Sequence, residues 1–160
     1  MALGDNTLRS AAGNSQRGRN PYMVQTTLNW ATALSDKGSA LAAADVIPVI
    51  AVPKGTMVLN AGIEVDTATD GSTFTVDLGM VDADVFVDGF DATSAAAVVA
   101  QNPAAYQPVM AVADDNIDVT IATLSGGAVS SGKFRVWAVL MDCTDMGDMA
   151  ANEVDRDTLA

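Results

Sequence analysis

Carboxylates gather in two short stretches of this sequence, and they are its clearest candidates for chemistry. The first stretch contains Asp82, Asp84 and Asp88, and the second contains Asp114 and Asp115. Calcium takes oxygen ligands from such loops, and two loops at one end of a β-sandwich can share an ion. The spacing lacks the closing Glu of an EF-hand loop. A calcium site and solvated turn acids are both open interpretations; we favour the second and expect no cofactor.

Catalysis has little support in the residue types present. The same carboxylates would cleave glycosides only as a pair in an aromatic-lined groove, and aromatic residues make up 5% of the chain. Ser130 and Lys133 have the Ser-x-x-Lys spacing, but they precede a strand and lack the companion motifs, which favours a Gly-rich loop. The chain has no His and no phosphate-cradling Gly-rich motif. We therefore expect a protein that is not an enzyme.

Composition and charge limit the classes of partner that the protein can bind. The chain has 160 residues, 49% of them hydrophobic, which predicts one domain with a real core. Its net charge is −12, although residues 1–44 carry four basic and two acidic groups, a net of +2. An acidic body repels nucleic acid and anionic membrane, so neither is expected as a partner. The single Cys143 excludes an internal disulfide and fits synthesis in a reducing cytoplasm.

Period-two hydrophobic patterns predict the elements that must carry these residues. The odd positions from Met57 to Val65 are apolar, and after a linker with Asp70-Gly71 the pattern resumes at Phe74, Val76, Leu78 and Met80, which predicts a hairpin. Val46–Val52 reads as a strand at a sheet edge because it contains Pro48. The segment from Trp137 to Met141 is apolar on both faces, which predicts a central strand or one covered by another subunit.

About eight such strands, with frequent turn signals and no long helix, predict an all-β fold: an antiparallel β-sandwich, jelly-roll-like, with an extended N-terminal arm. We expect an arm at residues 1–21, the sandwich at 22–143 and an acidic tail at 144–160. The arm is either a floppy terminus or a basic segment that lies on an acidic neighbouring subunit through Arg9, Arg17 and Arg19.

Four segments resemble small structural proteins that tailed phages, particularly marine and cyanobacterial phages, carry on the outside of the capsid. These segments are VIPVIAVPKGTMVLNAGIEV, FTVDLGM, DADVFVDGFDA and GKFRVWAVLMDC, within Val46 to Cys143. The resemblance implies a capsid decoration, or cement, protein: a virion structural protein on the capsid exterior, made in the host cytoplasm. Such proteins are often trimeric and clamp neighbouring subunits of the major capsid protein.

Under this resemblance the candidate contacts fall into two groups. Those toward the capsid are Arg9, Arg17, Arg19 and Tyr22, and those toward the core or sister subunits are Trp137, Val139 and Met141. The alternative is a carbohydrate- or host-surface-binding sandwich on a head or tail fibre, which a solvent-facing Trp30 or Tyr106 in a groove would favour. A hydrolase is a third class and would need two carboxylates converging in a cleft.

Overall fold

A computed structural model describes residues 20–100, 108–127 and 129–143 of the chain. The regular elements within these ranges are strands and one short helix, joined by loops. In chain order they are β1 (Tyr22–Asn29), α1 (Trp30–Lys37), β2 (Val46–Val52), β3 (Thr56–Thr67), β4 (Thr73–Gly79), β5 (Val87–Asp91), β6 (Val98–Ala100), β7 (Val109–Met110), β8 (Asp115–Ser125) and β9 (Lys133–Asp142).

The strands form two antiparallel sheets. The first has the order β1-β9-β3-β6, with β7 also paired to β3, and the second has the order β2-β8-β4-β5. The core lies between the sheets, where the buried residues of the central strands β8 and β9 meet. The expected all-β antiparallel sandwich is confirmed.

An aromatic cluster closes one end of the core. Trp30 packs edge-on against Phe74 at 4.9 Å and against Phe134 at 5.2 Å between ring centroids. All three side chains are fully buried. Phe74 comes from the second sheet and Phe134 from the first, so Trp30 ties the two sheets together at this end.

The predicted hairpin of β3 with β4 is wrong. The two strands belong to different sheets: β3 pairs with β9, and β4 pairs with β8 and β5. Residues 68–72 cross between the sheets, and the Asp70 side chain accepts hydrogen bonds from the backbone N–H groups of Ser130 at 2.9 Å and Ser131 at 3.1 Å. Asp70 thus fastens a crossover to a distant loop instead of forming a tight turn.

In the first half of β3, the residues that face the core are not the odd-numbered ones that the alternation predicted. Val58 lies opposite Leu140 and Asn60 lies opposite Val139, which leaves Leu59 as an extra residue in a β-bulge. Because a bulge shifts the alternation by one residue, Val58 is buried before it, and Ala61 is buried after it. Met57 therefore points away from the core.

Two other strand predictions are confirmed. Val46–Val52 is an edge strand, and its register shifts between Pro48 and Ile50, where the proline interrupts the ladder. On β4 the side chains of Phe74, Val76 and Leu78 are fully buried, as the alternation predicted.

Residues 36–39, Asp-Lys-Gly-Ser, are a loop signal in the sequence, but helix α1 continues through the first two of them to Lys37. The Asn29 side chain accepts a hydrogen bond from the Ala31 N–H at 3.0 Å, which caps the first turn. Gly38, with φ of 69°, ends the helix and donates its N–H to the carbonyls of Leu34 and Ser35. Among the described residues, no helix is long and apolar enough to cross a membrane.

Candidate interaction surfaces

The outer face of the first sheet collects apolar side chains. On β9 the even positions Phe134, Val136, Ala138 and Leu140 are buried in the core, so the odd positions point outward. Register places Met23 of β1 opposite Val139 and Met57 of β3 opposite Met141. We call this surface the apolar face; it consists of Met23, Met57, Trp137, Val139 and Met141.

The structure therefore brings three predicted contact residues together. Trp137, Val139 and Met141 lie side by side on the apolar face, where each is half-buried, and not in the core between the sheets. Met23 is 63% exposed. Met23 and Met57 were not predicted as members of this face; for Met57 the reason is that strict alternation along β3 places it on the core side. The bulge at Leu59 carries no clear sequence signal.

A glycine lets the Trp137 ring lie close to the backbone of β3. Gly62 is opposite Trp137 in the β3–β9 register. A Cβ atom at Gly62 would lie 2.5 Å from a carbon of the Trp137 ring and 2.7 Å from the carbonyl oxygen of Val99. Only a residue without a side chain fits there, so Gly62 determines how flat the Trp137 ring lies on the sheet.

Charges at the margin of the apolar face are balanced. Arg135 and Glu64 lie opposite each other on β9 and β3, and their side chains form an ion pair of 2.8 Å. Both are partly exposed, so the pair contributes little to stability. It does leave this surface without the excess negative charge of the rest of the molecule.

The outer face of the second sheet is acidic. We call it the acidic face; it consists of Asp77 on β4, Asp88 and Asp91 on β5, and Asp118 on β8. Burial raises the pKa of Asp77, and the nearby Asp88 and Asp84 raise it further, while a hydrogen bond from the Gly89 N–H at 2.7 Å opposes the rise. Burial, with the charge of Asp115, also raises the pKa of Asp118.

The acids of the calcium hypothesis are placed as follows. Asp82 and Asp84 share a hydrogen bond, which raises the pKa of Asp82. Asp114 accepts the Lys54 N–H at 2.9 Å, and Asp115 accepts the N–H of Asn116 at 2.8 Å. Within residues 20–100, 108–127 and 129–143, no three His, Cys, Asp or Glu side chains are arranged to hold a metal ion.

The remaining candidate residues from the sequence have the following places in the structure. The hydroxyl of Ser130 donates to the Asp70 carboxylate, and this bond, with the backbone N–H groups of Ser130 and Ser131, lowers the pKa of Asp70 to about 2. Trp30 is fully buried, so it offers no platform for a sugar. Tyr22 at the start of β1 is 46% exposed. Arg9, Arg17, Arg19 and Tyr106 lie outside the described residues.

A groove of about 410 Å³ runs between α1 and β2. Its lining residues are Ala33, Asp36, Lys37, Leu41, Asp45, Val46, Ile47 and Pro48. The Asp45 carboxylate accepts from Lys37 and from the Ala42 N–H, and both bonds lower its pKa. Asp45 thus fixes the loop after α1, and none of the described residues that line this groove is aromatic.

Comparison with known proteins finds similar folds but no similar sequence. No protein-family model matches the chain, and neither does any curated protein. A chain in the capsid of Ralstonia phage GP4 superimposes with a TM-score of 0.56 at 17% identity, over 77% of this chain and 84% of that one. A chain of the cyanophage Pam1 capsid asymmetric unit superimposes with a TM-score of 0.58 at 15% identity, over 77% and 85%. The sandwich is therefore a fold that also occurs in phage capsids.

Proposed function

We propose that this chain is a non-enzymatic virion structural protein. It binds the outside of a phage capsid as a decoration protein and stabilises the shell by bridging neighbouring major capsid protein subunits. The observation that carries the proposal is the fold, because two capsid chains share it over more than three quarters of the present chain. The resemblance of the strand segments to phage decoration proteins points in the same direction.

The strand order also supports the jelly-roll variant of the sandwich. β1 pairs with β9, β2 with β8, β3 with β6 and β4 with β5, so strands distant in sequence form antiparallel pairs. Successive pairs alternate between the two sheets. A long two-stranded ribbon folded across two sheets gives this order, as in jelly-roll capsid domains.

The mechanism is mechanical and follows from mass action. A protein that binds the assembled lattice and not its dissociated subunits adds its binding free energy to the lattice, about 2.7 kcal/mol per site at a concentration 100 times Kd. Contacts to two neighbouring subunits also raise the effective concentration of the second contact. In this proposal Arg9, Arg17, Arg19 and Tyr22 contact the shell.

In this proposal the apolar face supplies the second group of contacts, toward sister subunits on the shell, so that its loss weakens binding to the shell through lost avidity. Trp137, Val139 and Met141 present a surface whose nearby charges are balanced, and flexible Met side chains adapt to an uneven partner. The acidic face would then remain in solvent, where its negative charge keeps the decorated particles apart.

The carbohydrate-binding alternative receives less support. It needs a solvent-facing Trp30 or Tyr106 in a groove. Trp30 lies instead between Phe74 and Phe134 in the core, and Tyr106 lies outside the described residues.

Shells stripped of this chain provide the test. Purified chain added to expanded shells should bind to saturation and raise the temperature at which the shells break open. Deleting residues 1–21 should leave the sandwich folded, because β1 begins at Tyr22, and should lower shell occupancy. Unchanged occupancy would remove the arm from the proposal, and failure of the full chain to bind any shell would remove the proposal itself.

A matched pair of double variants tests the face. Met57→Gln with Met141→Gln changes the apolar face, and Val46→Gln with Ala51→Gln changes the edge strand β2 of the other sheet. Only the first pair should reduce binding to the shell.

The number of copies per assembly is a separate question. The resemblance implies three copies, whereas pairing of two sheet edges would give two. Light scattering separates these states, because each chain adds 16.4 kDa to the measured mass.

A further inference from the structure

Three of the sandwich's edges carry features that block pairing with another strand. β2 contains Pro48 and a register shift next to it. β5 is only five residues long and carries Asp88 and Asp91. β6 and β7, on the far edge of the first sheet, have three and two residues. Short strands, prolines, bulges and charges are the devices by which natural sheets protect their edges.

The fourth edge, β1, has none of these devices. Its sequence, Tyr22-Met-Val-Gln-Thr-Thr-Leu-Asn29, contains no charge, Pro or Gly. It pairs with β9 over all eight residues without a register shift. Among the described residues no strand pairs with its other side. A long regular edge strand presents a row of backbone donors and acceptors to any strand that can approach.

We infer that β1 pairs in antiparallel fashion with β1 of a second copy, which joins the first sheets of two molecules into one continuous sheet. Such a two-fold arrangement sets the same strand against itself. Residues directly opposite each other must point to the same face, so the two-fold axis passes through a residue near the middle of β1, Gln25 or Thr26. Either register sets apolar and uncharged polar side chains against one another.

Charge favours this side of the molecule for contact between copies. β1 and β2 are neighbouring edges of the two sheets, and neither strand has a charged residue. Asp118 on β8 lies one strand away from β2, and the other acids of the acidic face, on β4 and β5, lie two and three strands away. At about 4.8 Å per strand, the β4 and β5 acids of the two copies are separated by more than twice the Debye length, which is about 8 Å at physiological salt. A protein with a net charge of −12 meets less repulsion here than at its acidic face.

The pairing would also enlarge the apolar face. Met23 is on β1 and points outward beside Val139, so the apolar faces of both copies would lie on the same side of the joined sheet. This inference does not rest on the proposed function, because it concerns the chain alone in solution.

The test uses opposite charges at Gln25, an exposed residue that points outward opposite Trp137. The wild-type chain should sediment as a dimer in equilibrium with monomer. Gln25→Glu and Gln25→Lys should each weaken dimerisation roughly tenfold, because like charges then lie across or diagonally beside the two-fold axis. Mixing the two variants in equal amounts should restore a dimer that contains one chain of each.

Thr123→Glu and Thr123→Lys provide the control, since Thr123 is exposed on β8 in the other sheet. Neither should alter dimerisation. A wild-type monomer at 200 µM, a trimer, or a dimer that tolerates both Gln25 charges would each overturn the inference. The monomer result would leave the β1 edge to a strand of another protein.

Amide exchange gives a second measurement that does not depend on any variant. In the wild-type chain the β1 amides that face away from β9 should exchange more slowly at 200 µM than at 1 µM, while those of β5, the edge strand with Asp88 and Asp91, should exchange at the same rate. Concentration-independent exchange throughout β1 would count against pairing through this edge.

Discussion

Asp70 joins two loops that are 60 residues apart in sequence. It accepts the N–H of Ser130 at 2.9 Å, the N–H of Ser131 at 3.1 Å and the Ser130 hydroxyl. These bonds favour the ionised carboxylate, which lowers its pKa from 3.8 to about 2. The crossover between the sheets therefore depends on one charged side chain.

We predict that Asp70→Ala lowers the free energy of unfolding by about 1 kcal/mol at neutral pH, a value reduced for solvent exposure. Because the pKa in the folded state is the lower one, the stabilisation is present above pH 3.8 and is lost as the pH falls through about 2. Urea unfolding at pH 6 and pH 2.5 measures the difference between wild type and variant. An equal difference at both pH values would contradict stabilisation by the ionised Asp70 carboxylate. Ser130→Ala, which removes the hydroxyl that donates to Asp70, is the control for the partner side of this contact.

Ionisation of Asp77 affects the stability of the fold in the opposite direction from ionisation of Asp70. Its pKa is raised by burial and by Asp88 and Asp84, so its ionisation disfavours the folded state, and this unfavourable contribution of Asp77 disappears as the pH falls through its raised pKa. We predict that Asp77→Asn raises the unfolding temperature by about 1–3 °C at pH 7. The Asn side chain can still accept the Gly89 N–H, and the gain should vanish near pH 3.5.

Asp91→Asn serves as the control for Asp77→Asn. Hydrogen bonds from the Thr93 hydroxyl and N–H lower the pKa of Asp91, so loss of its charge should destabilise the protein at pH 7. If both variants changed the unfolding temperature in the same direction, general charge repulsion and not local environment would be responsible.

Some features of individual residues could be predicted from the sequence, and others could not. Both Asp clusters were visible as candidates, but their partners were not, because Lys54 and Asp114 are distant in sequence and meet only in the fold. Trp137 was predicted to contact the core or a sister subunit; the structure places it on the outer face of the first sheet, and its contact with a partner stays a prediction. Its outward position follows from alternation along β9 once Phe134 and Val136 are placed in the core.

At the scale of elements, the contact of β3 with β9 depends on Gly62. We predict that Gly62→Ala lowers the free energy of unfolding by about 2 kcal/mol, because the new methyl group overlaps the Trp137 ring and the Val99 carbonyl. Thermal unfolding followed by circular dichroism measures the loss. In a Trp137→Leu background the same substitution should cost less, and an unchanged cost would assign the strain to the Val99 backbone.

Strand positions could be predicted well, and strand partners could not. Period two identified β4 correctly, since this strand has one buried face. The β3–β4 hairpin failed because adjacency in sequence was taken as adjacency in a sheet, whereas β3 pairs with β9. Helix α1 had a readable start and end in Asn29 and Gly38, but its eight residues show only weak periodicity.

At the scale of the whole molecule, net charge should govern association between copies. We predict that raising the salt concentration from 20 to 300 mM tightens self-association severalfold, because salt screens the repulsion between two chains of net charge −12. Sedimentation equilibrium measures the dissociation constant at each concentration. Weaker association in high salt would instead indicate that opposite charges, such as Arg9, Arg17 and Arg19 against the acidic face, hold the copies together.

The separation of charge along the chain could be read from the sequence, but its arrangement in space could not. Counting charges shows an acidic body after residue 44. That the acids occupy the outside of the second sheet, while the first sheet presents Met, Val and Trp, depends on the β3 bulge and on the strand order. Both features arise from long-range pairing.

The two ends of the sandwich lie side by side, and this determines how it responds to force. Tyr22 at the start of β1 is paired with Leu140 near the end of β9, so the chain enters and leaves at the same end of one antiparallel ladder. Tension applied through the two ends would peel β1 from β9 one hydrogen bond at a time, the geometry in which a ladder resists least. A load spread across the broad surface of the first sheet would instead act on many bonds at once. A role in holding other subunits together is therefore better served when part of the load enters through the sheet surface than when the arm before β1 and the end of β9 carry all of it.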